Sequence, residues 1–501
     1  MVQALIFDGR PLSIEDVAAI SRREKQARLS ADPQFQARIE AGAAHVARTL
    51  QERGVIYGVT TGYGDSVTTA VPAELVPELG HRLFTYHGVG LGEIFSPVET
   101  RAILAARIQS LSQGLSGVTW GLLQQLERLL VEDILPVIPK EGSVGASGDL
   151  TPLSYVAAVL CGEREVVVDG QRRQTADVFK ERKIAPITLK PKEGLAIMNG
   201  TAVMTGLACL AVERATGLSR LSTHLTSMAS AAMGGNPHHF DERLFQAKPH
   251  TGQQRVASQI RADLEGTERT ESRLQDRYSI RCAPHVIGVL EDSLPFLRSL
   301  VENELNSAND NPLIDPDSGR IMHGGHFYGG HVALAMDTMK NVVANLADLM
   351  DRQLALLVDA RFNHGLPANL TGATGPRAAI SHGLKALQIS ASAWTAEALK
   401  NTMPASVFPR STECHNQDKV SLGTISARDA LRVLELTEQV AVAHVVACRQ
   451  GVFLKARSGA KLPAKVLQLA EAVGVEPLIE DRVLEPDLRA LLARMHELTA
   501  L

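Results

Sequence analysis

HVALAMDTMKNVVANLADLMDRQLALLVDAR, residues 331–361, runs without a proline. Leu334, Val342, Leu346, Leu349, Met350, Leu354 and Leu357 recur in it at helical spacing, so the stretch reads as one continuous helix. About 30 residues at 1.5 Å each give a helix roughly 45 Å long. A second long helix is predicted from Pro376, a good first-turn residue, to about Met403. A third runs from about Ser421 to Phe453. Three long helices in succession predict a mainly α protein with a long-helix bundle at its core. A coiled coil would produce the same long helices, but no heptad repeat holds.

Towards the N-terminus the pattern is shorter. Leu122, Leu123, Leu126, Leu129, Leu130 and Ile134 form one helix face, stopped by Pro136 and Pro139. Ser13 followed by Asp16 resembles a capping arrangement ahead of a short helix through Val17 and Ile20. REVVVDG, residues 164–170, is a β-branched run ending in a turn, and 164–192 reads as a small excursion with a strand or two. The division expected is a smaller mixed N-terminal region, 1–195, and a long-helix bundle region, 196–501.

The 501 residues are 45% hydrophobic and 21% charged, too apolar and too weakly charged for a disordered chain. A formal charge of −4 excludes the basic excess of a dedicated nucleic-acid binder. The N-terminus lacks a signal-peptide pattern, and no apolar run reaches the roughly 18–20 residues that span a bilayer. Five scattered cysteines, an odd number with no C-x-x-C pair, fit a reduced cytoplasmic protein. Two Trp, six Tyr and twelve Phe leave the core to aliphatic side chains, so the six tyrosines can be weighed one by one.

The chemistry is concentrated in EGSVGASGDLTPLS, residues 141–154. Three glycines within seven residues suit a phosphate-cradling loop, but the Walker pattern and its lysine are absent. A tight surface loop is the plainer alternative. Ala146-Ser147-Gly148 permits a third chemistry. If the chain bends sharply, the unhindered Gly148 nitrogen can attack the Ala146 carbonyl. Loss of water closes a five-membered ring, and loss of a second water from Ser147 leaves an exocyclic methylidene. The product, 4-methylideneimidazol-5-one, is an electrophile made from the protein itself, and flanking glycines supply the unusual dihedrals.

With these residues, GSVGASGDL resembles the signature of the aromatic amino acid ammonia-lyase and aminomutase family, which includes histidine, phenylalanine and tyrosine ammonia-lyases. YGVTTGYG (57–64) is similar to the family's tyrosine-bearing loop, and MNGT (198–201) to its asparagine motif. QDRYSIR (275–281), NDNPL (309–313), HGGHF (323–327) and HNQDKVSLG (415–423) follow in the family's order. The matches span about residues 50 to 425. The signature of the fumarase-type lyases, which are also helical, is absent.

The resemblance implies the following roles. The group formed from Ala146, Ser147 and Gly148 activates the substrate amine. Tyr57 is the base for the β-proton. A free phenol titrates near pH 10, so cations or helix N-termini are expected to lower it. Arg281 clamps the substrate carboxylate in two parallel hydrogen bonds. Asn199 and Gln275 bond the electrophile's oxygen or the carboxylate. Tyr278 lies near the electrophile, one turn before Arg281 if that segment is helical, and Phe327 packs there too. His323, His326 and His331 suggest a metal cluster at first sight, but no cysteine completes it and the family uses no essential metal. His326 also departs from the asparagine common at its position.

Three positions speak against histidine as the substrate. Gln417 stands where histidine lyases carry a glutamate, Lys385 fits the phenylalanine/tyrosine type, and Ala202 replaces the usual glutamine. Tyr86-His87 occupies the ring-selectivity pair, where His87 can bond a phenolic hydroxyl or meet an imidazole. The reading is therefore an ammonia-lyase acting on L-tyrosine and giving p-coumarate. Histidine or phenylalanine ammonia-lyase, tyrosine 2,3-aminomutase, and an inactive helical scaffold are the alternatives. The resemblance also implies a homotetramer with shared active sites, a small-molecule aromatic amino acid as the only partner besides itself, and neither metal, nucleic acid nor membrane.

Overall fold

The computed structural model describes residues 3–267 and 274–501. The fold is mainly α. It divides into two compact units, one of residues 1–213, 298–337 and 404–428, the other of residues 214–297, 338–403 and 429–501. The divisions at 213/214, 297/298, 337/338 and 428/429 fall inside the helices Ala202–Ala232, Ala283–Leu305, Gly330–Val358 and Gly423–Arg457 rather than in linkers.

The first unit holds the strands among the described residues. Gln3–Phe7 pairs in parallel with Lys25–Leu29, and the intervening helix Ile14–Ser21 opens on a complete Ser13/Asp16 capping box. Glu165–Val168 and Gln171–Gln174 form an antiparallel hairpin, which Leu135–Pro136 extends. Its two-residue turn is Asp169-Gly170, with φ of 49° and 77°. Two left-handed residues twist a hairpin the way its strands twist, which is why Asp-Gly stands there. Helix Pro97–Leu111 is buried on every side from Thr100 to Leu111, and its interior includes Arg107 and Gln109. Burial on all faces explains its lack of an apolar stripe.

The second unit is built from long helical segments with an aliphatic core. Leu218, Leu221, Leu225 and Met228 are buried along one, Val343, Leu346, Met350, Leu354 and Leu357 along another, and Leu434, Val440 and Val445 along a third. The helix expected over 331–361 is found at Gly330–Val358, and that expected over 421–453 at Gly423–Arg457. The one expected from Pro376 to Met403 is shorter. A 3-10 turn covers Gly375–Ala379 and the α-helix is Lys385–Lys400. Gly383 lies at φ 52°, and the His382 and Gly383 amides donate to the Asp481 carboxylate at 2.7 and 2.8 Å. A tertiary partner takes the amides that a continuing helix would have used. Among the described residues, no helix is long and apolar enough to cross a membrane.

Candidate active site

The glycine-rich segment is a strained turn locked to a distant strand of backbone. Gly145, Ser147 and Gly148 have φ of 77°, 52° and 80°. Left-handed backbone at a serine costs about 1–2 kcal/mol, so the surroundings must enforce it. They do so through Gly200. Its amide donates to the Ser147 carbonyl at 3.1 Å, and its carbonyl accepts from the Asp149 amide at 2.8 Å. Gly148 and Gly200 thereby form an isolated parallel bridge. A Cβ on Gly148 would run into the Gly200 carbonyl, so position 148 admits only glycine. Ala146 packs with Val144 against buried Ala405, Val420 and Leu422.

Asp149 anchors the segment's far end. It is fully buried and accepts from the Val203 and Met204 amides at 3.0 Å each. These are orphan donors in the first turn of helix Ala202–Ala232, so the carboxylate caps that helix from outside its chain neighbourhood. The Thr424 and Ser143 hydroxyls also bond it. Burial pushes its carboxyl pKa up, and these hydrogen bonds oppose that.

Tyr57 sits half-buried in a second loop, where its hydroxyl accepts from the Gly64 amide at 2.7 Å. Gly64 begins the 3-10 turn Gly64–Thr68, so a helix-type N-terminus does face the phenol as expected. The net effect is nonetheless opposite to the expectation. Burial raises the Tyr57 pKa, the Gly64 bond lowers it, and the nearby Glu413 carboxylate raises it further. Tyr63 and Tyr86 neighbour the same phenol and are raised by burial first. Glu413 also accepts from the Asp65 amide at 2.8 Å and lies against Gly64. It thus ties the Tyr57 loop to the turn at 411–417, where Glu413, Cys414 and His415 all have positive φ.

That turn delivers Gln417. The Thr412 and Gln417 backbones bond each other in both directions, and the Thr412 hydroxyl donates to Gln417 Oε1 at 2.9 Å. With its oxygen so engaged, Gln417 Nε2 reaches Ser147 Oγ at 3.4 Å. His87 caps helix Leu79–Tyr86, and its ring lies 4.4 Å from that of Tyr86. His87 Nδ1 lies 2.9 Å from the Leu83 carbonyl. A carbonyl only accepts, so Nδ1 carries the proton. Burial lowers the His87 pKa, which favours the neutral ring with a bare Nε2. Asn199 is buried, and its Oδ1 has no hydrogen-bond partner among the described residues. Phe327 is half-buried. No group of three potential ligands that would hold a metal ion occurs among the described residues, including around His323, His326 and His331.

Interactions within the first unit therefore link Tyr57 to Glu413, the Glu413 turn to Gln417, Gln417 to Ser147 and Ser147 to the Asn199–Gly200 backbone, with Tyr86 near Tyr57 and His87 against Tyr86. Gln275, Tyr278, Arg281 and Lys385 belong to the second unit. Gln275 is exposed, and Tyr278 is 73% exposed at the start of the single helical turn Tyr278–Arg281. The guanidinium of Arg281 lies 4.7 Å from the Tyr278 ring centre, and its Nε donates to the Asp276 carbonyl at 3.0 Å. Lys385 is exposed as the first residue of its helix. Reading the sequence missed Glu413 and Arg107. An arginine inside the otherwise aliphatic run AILAARI (102–108) was the available signal for the second. Nothing in the sequence marks Glu413.

A profile described as "Aromatic amino acid lyase" matches residues 12–472. The chain is 35% identical over 97% of its length to histidine ammonia-lyase of Bos taurus, covering 74% of that protein. It is 37% identical over 88% of its length to tyrosine 2,3-aminomutase of Chondromyces crocatus, covering 87% of it. The crystal structure of tyrosine aminomutase from Streptomyces globisporus superposes with a TM-score of 0.91 at 33% identity, over 99% of this chain and 97% of that one. The chain belongs to the aromatic amino acid lyase family. It is an enzyme of the carbon–nitrogen lyase type, as the ammonia-lyases among its relatives are.

Proposed function

We propose that the enzyme eliminates ammonia from L-tyrosine to give p-coumarate, using a 4-methylideneimidazol-5-one formed from Ala146, Ser147 and Gly148. The residues present fit that group: the turn at 146–148 is bent, position 148 has no room for a Cβ, and the residue before Gly200, which bonds the turn, is Asn199, whose buried Oδ1 has no hydrogen-bond partner among the described residues. When formed, the group supplies an electrophilic carbon that activates the substrate's amine as a leaving group.

The chain's own residues do the rest. Tyr57, held by the Gly64 amide, takes the β-proton, and its raised pKa makes it a strong base once ionised. Arg281 pairs with the substrate carboxylate, and Gln275 and Asn199 bond that carboxylate or the electrophile's oxygen. On the strength of their motifs Tyr278 is assigned to catalysis beside the electrophile and Phe327 and Lys385 to the substrate side, and a homotetramer with shared sites is part of the same reading.

One observation carries the choice of tyrosine. Neutral His87, donating from Nδ1 to Leu83, keeps Nε2 as an acceptor, and a phenolic hydroxyl is the donor that matches it. Gln417 stands where histidine lyases carry a glutamate that can pair with imidazole, and it offers no charge of its own. The tyrosine 2,3-aminomutase relative supports a second reading, in which the amine returns to the β-carbon. Incubation with tyrosine, phenylalanine and histidine, with products identified by mass and absorbance, tests both. p-Coumarate as the main product supports the lyase, β-tyrosine the mutase, and urocanate would overturn the substrate assignment.

A further inference from the structure

Arg107 has no place in the reaction so far, yet it is 0% exposed in the middle of helix Pro97–Leu111. Its two terminal nitrogens are spent on two carbonyls. Nη1 donates to Ala196 and Nη2 to Asn199, both at 3.1 Å. Nε has no partner among the described residues. Burial lowers its pKa to about 10, so it stays charged near neutral pH, with Asp310 and Asp149 close by as counter-charges. Asp310 also pairs with fully buried Lys192 at 2.5 Å. A buried cation whose hydrogen bonds converge on one short backbone segment is a costly way to fill a core.

The Asn199 carbonyl that Arg107 grips and the Gly200 amide that bonds the Ser147 carbonyl belong to the same peptide group. In a trans peptide these two groups point in opposite directions, and resonance couples them. A cation on the oxygen draws electron density through the amide and strengthens its N–H as a donor. The same contacts fix the peptide's orientation, because Gly200 is close-packed against Arg107 and Asn309.

We propose that Arg107 is a positioning residue for formation of the electrophile: it holds and polarises the Asn199–Gly200 peptide so that the Gly200 N–H stabilises charge on the Ser147 carbonyl as Ser147 loses water after the ring has closed. This rests on the reading that Ala146-Ser147-Gly148 cyclises. In the first step the Gly148 nitrogen pair bonds to the Ala146 carbonyl carbon, and the Gly148 proton passes to that carbonyl's oxygen. The oxygen departs as water with the Ser147 N–H proton, leaving a C=N bond. In the second step Ser147 loses its Cα proton and its Oγ as hydroxide, together a second water, leaving C=C. As the Cα proton departs, its electron pair spreads into the Ser147 carbonyl, where the Gly200 N–H receives it. No oxidant or reductant is needed.

The test compares Arg107→Lys and Arg107→Gln with the unsubstituted enzyme. Intact mass measures the loss of two waters during refolding, near-ultraviolet absorbance measures the electrophile, and circular dichroism measures the fold. Arg107→Lys keeps charge without the two-pronged grip and should slow the water loss about tenfold, with Arg107→Gln slower still. Helical content should match the unsubstituted enzyme. In partly converted samples kcat should track the converted fraction while KM stays constant, which a general loosening of the fold would not produce. Water loss at the original rate in both variants would overturn the proposal. So would failure of both to fold, since Arg107 would then be a structural residue. If the unsubstituted enzyme itself keeps its full mass, the cyclisation reading fails instead.

Discussion

The segment around Ser147 and the segment around Arg281 solve opposite problems. The first is enclosed. Its carbonyl, its flanking amide and its terminal carboxylate are each bonded to residues fifty or more positions away, and its floor is aliphatic. The second is one helical turn, with Tyr278 largely exposed and Arg281 tied by one carbonyl and one ring face. Chemistry that the backbone must perform on itself needs a rigid mould, because ring closure succeeds only at near-contact distances. A carboxylate clamp needs a guanidinium with its outer nitrogens still open to a ligand. On the proposed mechanism, rigidity lies where the reagent is made and openness where the substrate is met.

Substitution at each end sharpens that contrast. Ser147→Ala removes the hydroxyl that leaves as water. Near-ultraviolet absorbance and turnover should both vanish with the fold intact; full activity would sink the mechanism. Tyr57→Phe keeps the ring's packing and removes the base. kcat should fall by about 10²–10⁴ while the electrophile's absorbance is unchanged. Arg281→Lys keeps the charge and loses the two-pronged geometry. kcat/KM should fall about a hundredfold, equivalent to about 2.7 kcal/mol, mostly through KM. An unchanged KM would remove Arg281 from the substrate.

Smaller effects come from the residues that tune rather than build. His87→Phe should move the tyrosine-to-phenylalanine ratio of kcat/KM about tenfold or more towards phenylalanine. A ratio that does not move would take His87 out of the selectivity argument. Glu413→Gln removes an anion beside Tyr57. That anion raises the phenol's pKa, so its loss should lower it, and the rise of kcat/KM with pH should begin at lower pH. A pH profile identical to the parent's would show that Glu413 serves only to hold the loop.

The helices at 330–358 and 423–457 were legible because helical spacing and freedom from proline are local properties. The helix expected over 376–403 begins only at Lys385 because Asp481, 99 and 98 residues away, claims the His382 and Gly383 amides. The site divides in the same way. Ser147, Tyr57, Asn199 and Gln417 announce themselves in motifs. Glu413 and Arg107 act through contacts 348 and 92 residues distant, and no spacing rule reaches so far. The direction of the Tyr57 shift was illegible for the same reason, since burial and a remote carboxylate set it.

The bridge between Gly148 and Gly200 also sets an order of events in time. The peptide that directs an amide onto Ser147 is synthesised some fifty residues after it, and helix Ala202–Ala232, whose first turn anchors Asp149, comes later still. On the proposed route, a nascent chain paused before residue 200 has no mould in which to mature. Maturation on the proposed route is thus a one-way stamp applied after folding. The mass of a purified chain then serves as a memory, recording whether that molecule has ever been native, even if it is unfolded when weighed.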